Sequence, residues 1–268
     1  MLRSMFSAVS GLRSHQTMMD VTGNNVANVN TSGYKASRTT FQESLAQAVR
    51  GGTGGDVGQG GVNGMQLGLG AQVGGTDMVF TQGASQATGR ATDVAIQGEG
   101  FFVVETAEGR AYSRAGAFSF DNVGNLVGPG GERVQGWDEG GAFGDINLAL
   151  DEYTDISIGA DGTIAGRNPD GDIEELGQLA LARFPNNGDM VRGGNGLFTP
   201  GPNAGGEILE TPGAEGMGTL QGGTLEMSNV DLAQEFTNLI LSQRGFQANA
   251  RTITTSDELL QELVNLKR

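Results

Sequence analysis

The chain has 268 residues, a net charge of −15 and 47 glycines, a length that admits one large domain or two small ones with real cores. It has no cysteine, which excludes disulfides, thiolate metal sites and a cysteine nucleophile. Residues 1–50 carry +3, residues 225–268 carry −2 and the middle carries −16 together with 43 of the glycines, so the centre repels nucleic acid and anionic lipid.

The chain opens on an amphipathic run. Leu2, Met5, Val9, Leu12, Gln16, Met19, Gly23 and Val26 are spaced alternately 3 and 4 apart, a heptad stripe that predicts a helix. The stretch "MFSAVSGL" after Arg3 has a superficial likeness to a secretion signal. Serines interrupt it, and Arg13 and His15 follow with no small-residue cleavage site, so a retained helix is expected. Asn24, Asn25, Asn28 and Asn30 crowd the helix end before Ser32-Gly33. Asparagine bonds its own backbone and glycine accepts positive φ, so these residues read as a helix-end and turn motif. No nucleophile or base accompanies them.

Residues 51–75 are nearly all glycine and small polar residues, the composition of a flexible linker unless neighbours order it. Beyond them the pattern becomes β. Val94 and Ile96 alternate, Phe101 to Val104 form a short apolar run, and "TAEGR" reads as a turn. Phe118 and Phe120 alternate before a second turn at "DNVGN", and Asp161-Gly162 marks a hairpin. "GQLALARF" places Leu179, Leu181 and Phe184 on related faces. Strands at this spacing predict an antiparallel sheet, sandwich or barrel.

The C-terminal block repeats the heptad more strongly. Leu232, Phe236, Leu239, Gln243, Phe246, Ala250, Ile253, Asp257, Leu260 and Val264 form the stripe. Ser228 or Asn229 is the expected N-cap, with Asp231 near the positive end of the helix dipole. No proline interrupts residues 213–268, so a helix of roughly 35 residues is expected. The apolar residues Phe6, Met18, Ile240, Leu259, Leu263 and Leu266 widen both stripes beyond a two-helix seam. The expected seams are Leu2, Met5, Val9, Leu12, Met19 and Val26 on one helix, and Leu232, Phe236, Leu239, Phe246, Ile253, Leu260 and Val264 on the other. They read as assembly surfaces between helices, of one chain or of different subunits.

Signals of chemistry are weak. "GGTGGD" (51–56) is one copy of a calcium repeat that requires stacking. "NPDGD" lacks the spacing of an EF-hand loop. The lone His15 has no visible metal partners. Acidic pairs such as Asp151-Glu152 and Glu174-Glu175 lack the aromatic-lined cleft of a glycosidase. The expectation is a structural protein without catalytic residues, cofactor or metal, and without a nucleic-acid or small-molecule ligand. The fold expected is α+β, with terminal helices forming a coiled coil around a central, mostly antiparallel β domain. The helical part spans 1–30 and 229–268, a glycine-rich bracing segment spans 31–75, and the β domain spans 76–228.

The terminal blocks "MLRSMFSAVSGLRSHQTMMDVTGNNVANVNTSGYK" and "LEMSNVDLAQEFTNLILSQRGFQANARTITTSDELLQELVNLKR" resemble the ends of bacterial flagellar rod and hook proteins. "FTQGASQATGRATDVAIQGEGFFVV", "YSRAGAFSFDNVGNLV" and "GTLQGGTLEMSN" resemble the family's shared β domain. The likeness covers nearly the whole chain, with a departure at Gly64, where relatives often carry proline. Within the family the terminal blocks look most like the hook branch, with the distal rod as the alternative and an adhesin-like secreted β protein as a remote one. The resemblance implies a homopolymer in the bacterial flagellum, hook or basal body, whose terminal helices line an export channel. It implies torque transmission from rod to filament. It also implies extracellular placement and export by the flagellar type III apparatus without a cleaved signal peptide. The partners it implies are the distal rod protein, the hook cap, the hook-length control protein and the hook–filament junction proteins.

Overall fold

The computed structural model describes residues 2–55, 60–138, 140–149, 152–153, 155–214 and 216–266. The Leu2 side chain, Asp56 and Gly58 of the glycine-rich segment, and Asp151 of the acidic pair lie outside the described residues. The chain is α+β and divides into two compact units. A helical unit comprises Met1–Ala27, Ser37–Asp77 and Asp231–Arg268, and a β unit comprises Asn28–Ala36 and Met78–Val230.

In the helical unit, α1 spans Leu2–Ala27 and α2 spans Leu232–Asn265, the latter 34 residues long. The N-cap of α2 is Asp231, whose side chain accepts from the backbone N–H groups of Ala233 and Gln234. This corrects the expectation of Ser228 or Asn229. A carboxylate one turn closer to the helix satisfies two orphan donors and adds its charge to the favourable dipole end.

The two helices run antiparallel. Asn25 bonds Glu235, His15 lies against Gly245, and Gly11 faces Asn249, so advancing along one helix retreats along the other. The contact face carries small and polar residues at heptad spacing: Ala8, Gly11, His15, Thr22 and Asn25 on α1, and Glu235, Ser242, Gly245, Asn249 and Ser256 on α2. It is offset from the apolar stripes. Small residues let the backbones approach closely: a Cβ added at Gly11 would sit 2.7 Å from the Asn249 amide nitrogen.

The same unit contains a two-stranded ribbon. β1 (Ser37–Glu43) pairs with β4 (Ala71–Met78), and β2 (Ala46–Arg50) pairs antiparallel with β3 (Met65–Gly68). The backbone bonds Ser44 N to Gly70 O, Leu69 N to Leu45 O and Thr53 N to Val62 O carry the register through the junctions. Part of the segment expected to be a linker is therefore ladder. Its glycines leave little side-chain pattern to read, and the order comes from backbone pairing.

The β unit is antiparallel at every recorded strand pair. β5 (Ser85–Ala87) pairs with Thr224–Glu226, and β6 (Val94–Gln97) pairs with Thr219–Gly222. β7 (Phe101–Thr106) lies between β8 (Gly109–Ser113) and the strand Arg133–Asp138. The turn predicted at "TAEGR" joins β7 to β8. Asp161-Gly162 joins Ile156–Ile158 to Thr163–Arg167, with Gly162 at φ +83°.

The run Phe101 to Val104 is continuously apolar because both faces of β7 are covered. Phe102 and Val104 enter one core with Val94, Ile96, Phe118, Leu126, Val134, Leu179 and Leu181. Phe101 and Val103 enter a second with Tyr112, Ala180, Ala182, Phe184, Met190 and Phe198. Phe184 thus faces away from Leu179 and Leu181, against the expectation that the three share related faces. Strand alternation separates an even from an odd position.

Candidate assembly surfaces and the connector site

The predicted seam residues fall into two groups. Met5, Val9, Leu12, Met19 and Val26 on α1, and Leu239, Phe246, Ile253 and Leu260 on α2, are half-buried beside the small-residue contact. Leu232, Phe236 and Val264 are exposed, Phe236 at 51%. Around them Phe6 (71% exposed), Ile240, Leu241, Leu259, Leu263 and Leu266 also face solvent. α2 therefore presents an apolar flank that α1 does not cover, and on α1 Phe6 is the exposed large apolar residue among the described side chains. Phe6, Val9, Arg13 and Thr17 line an open groove of ≈ 490 Å³ with Ala71 and Val73.

The ribbon is exposed too. Leu67 and Met65 share one face by the two-residue period, Gln47 is opposite Leu67, and Leu45 bonds Leu69. Leu45, Met65, Leu67 and Leu69 are all exposed. A two-stranded ribbon with an uncovered apolar face is marginal in water by itself.

The asparagine cluster performs two tasks. Asn25 is buried; its amide donates to Ser37 O at 2.7 Å and to Glu235 Oε1 at 3.0 Å, and its Oδ1 accepts from Ser37 N at 3.0 Å. It joins α1, α2 and the start of β1. Asn28 builds the turn after the helix: its carbonyl accepts from Thr31 N and its Oδ1 from the Thr31 hydroxyl. Asn24 and Asn30 are exposed. Gly33 is buried in the β unit at φ +70°, and its N–H donates to Glu226 O at 2.8 Å.

Two residues after Gly33 lies a feature that periodicity did not single out. The ammonium of Lys35, fully buried, sits 2.6 Å from Glu226 Oε1 and donates to Thr81 O at 2.9 Å. The other carboxylate oxygen of Glu226 faces Arg114 Nη1 at 3.4 Å, and Arg114 Nη2 donates to Gly98 O. Gly83 N–H also donates to Glu226 Oε1 at 2.9 Å. Burial pushes the Lys35 ammonium and the Arg114 guanidinium below their ordinary pKa ranges, and in each case Glu226 opposes the shift. One carboxylate thus holds two desolvated cations. The signal available in sequence was composition: Lys35 and Glu226 are isolated charges in "TSGYKAS" and "GTLEMSN".

The family profiles cover the three parts just described. Residues 5–35 match the profile described as flagella basal body rod protein. Residues 95–166 match flagellar hook protein FlgE/F/G D1 domain, and residues 221–266 match flagellar basal body rod FlgEFG protein C-terminal. Across 269 aligned positions that cover both chains in full, the sequence is 44% identical to the flagellar basal-body rod protein FlgG of Bacillus subtilis (strain 168). The chain belongs to the flagellar rod and hook protein family. Against FlgG of Borreliella burgdorferi it is 36% identical over 273 positions, again with full coverage of both. Against the flagellar hook protein FlgE of the same organism it is 29% identical over 441 positions, with full coverage of both. The terminal helices and the β unit are thus those of a family of flagellar structural proteins, and this chain is a component of the flagellar basal body or hook.

Proposed function

We propose that the chain is a rod-type subunit of the flagellar basal body that polymerises through its helical flanks and its ribbon. The observation that carries this reading is the gap-poor, full-length alignment with FlgG: 269 positions for 268 residues at 44% identity. The hook relative needs 441 positions to align with the same chain, and so carries long insertions that this chain lacks. The terminal blocks that favoured the hook in sequence align over full length with both kinds of relative, so they do not discriminate. The aligned length, nearly equal to the chain's own for FlgG and far longer for the hook relative, is what favours the rod.

The surfaces support polymerisation. Phe6 on α1, a row of apolar residues on α2 and one ribbon face are exposed in the single chain, and exposed apolar surface that gathers in a patch marks an interaction site. In the polymer the helices pair with those of neighbouring subunits, in the coiled-coil manner expected from their heptads, and surround the export channel. The ribbon braces an adjacent subunit.

Deletion of the gene decides between rod and hook. Electron microscopy of basal bodies from the deletion strain should show truncated rods inside the envelope. Complete rods that reach the cell surface but bear no hook would overturn the rod assignment in favour of the hook.

A further inference from the structure

Asn28–Ala36 leads out of α1, yet it belongs to the β unit. We propose that residues 33–36 are a plug seated in a cleft of the β unit, which holds this connector and the segment 226–229 in place whether or not the helices are ordered. The inference holds for a rod or a hook subunit alike.

The following contacts seat the plug, and all are made within the β unit. Gly33 donates to the Glu226 carbonyl, Val79 N–H donates to the Ala36 carbonyl at 2.8 Å, and Ala36 N–H donates to Asn229 Oδ1 at 2.7 Å. Asn229 also donates through Nδ2 to Val79 O at 2.7 Å and to Thr81 O at 3.1 Å, so one amide joins three passes of the chain. The Arg192 guanidinium lies 4.3 Å above the Tyr34 ring and donates to the Lys35 carbonyl. Beneath these contacts Lys35 completes the charge arrangement of Glu226 and Arg114.

The chemistry makes seating conditional on the correct side chain. Without an ammonium at position 35 the Glu226 carboxylate keeps the longer contact to Arg114 as its one charged partner, beside the Gly83 N–H, and the Thr81 carbonyl keeps only the Asn229 amide. Removing one member of a buried charge pair is strongly destabilising, because the other is left uncompensated.

Hydrogen exchange of the full-length monomer near neutral pH tests this. Peptides covering 33–36 and 226–229 should exchange as slowly as 101–106 and far more slowly than the exposed 51–55. In Lys35→Met both should exchange at least about a hundred-fold faster, the factor set by breaking a buried pair, with 101–106 unchanged. If that variant also loses protection at 101–106, Tyr34→Ala serves instead. Loss of its stacking should speed exchange at 33–36 about ten-fold with the sheet intact. Wild-type exchange at 33–36 as fast as at 51–55 would overturn the proposal, as would unchanged protection in the variant that keeps its sheet.

Discussion

Gly33→Ala is the sharpest test of the connector's geometry. Gly33 has φ +70°, and an added Cβ would stand 2.5 Å from the Ala115 backbone nitrogen and 2.7 Å from the Arg114 carbonyl carbon. Both obstacles are backbone, so neither can swing aside. The left-handed conformation alone costs about 1–2 kcal/mol for a residue with a Cβ. Overpacking against a fixed wall adds about 1–3 kcal/mol. The combined cost of about 2–5 kcal/mol corresponds to a fall in melting temperature of roughly 4–20 °C for a unit of this size. The single tryptophan, Trp137, is half-buried with its ring 5.9 Å from Phe143 in the β unit, and its fluorescence reports that unit's melting. The matched control is Gly23→Ala. Gly23 lies in α1 with nothing within 4 Å of its would-be Cβ, and the change should favour the helix by about 1 kcal/mol. Melting of Gly33→Ala within about 1 °C of wild type would refute the argument, since the left-handed cost alone predicts more.

Phe236 is about half exposed in the single chain; Phe236→Asp should leave monomer stability within about 0.5 kcal/mol and abolish sedimentable polymer. Phe102 is fully buried, with its ring 4.9 Å from Phe118; Phe102→Ala should destabilise the β unit by about 3–5 kcal/mol in urea titration. Asp231→Ala removes the two capping bonds at the start of α2; it should cost about 1 kcal/mol, seen as faster amide exchange over 232–236 with the β unit unchanged.

Much of the architecture was legible in periodicity. The heptads at both ends predicted helices, and α2 ends within a few residues of the length expected from the absence of proline. Alternation and turn residues located the hairpins at 107–108 and 161–162. Three things were not legible, each for a physical reason. The ribbon at 37–50 and 65–78 is held by backbone ladders and uses glycines at 68, 74 and 75, so side-chain period carries little of its signal. The intramolecular helix contact uses Gly11, Ser242, Gly245 and Asn249, residues that a hydrophobic template scores as surface. The Lys35–Glu226 pair joins positions at opposite ends of the chain, and no local pattern encodes a contact across that separation. Asn25 was read from sequence as part of a helix-end motif; its bonds to Ser37 and Glu235, which join three elements, required the fold.

The polar contact between α1 and α2 and their apolar flanks together set the terms of assembly. The helices meet within the chain through small side chains and the Asn25–Glu235 bond, with the apolar residues beside them only half-buried. Phe6, Leu232, Phe236, Ile240, Leu259, Leu263 and Val264 are left 40–71% exposed. Full burial of such a side chain contributes about 1.5–3 kcal/mol, so covering the remaining half of these seven yields of the order of 5–10 kcal/mol. Association of two proteins costs about 4–15 kcal/mol in lost translational and rotational freedom. A single neighbour covering this surface therefore comes close to break-even. A subunit that docks among several neighbours incurs that loss once and gains from every face, including the ribbon's Leu45, Met65, Leu67 and Leu69. The chain should therefore stay monomeric at low micromolar concentration and add readily to an existing end. Sedimentation velocity should show one monomer boundary, with rapid uptake once preformed polymer seeds are supplied. A stable dimer in the unseeded sample would refute this, because it would mean that one pair of surfaces suffices to outweigh the association cost.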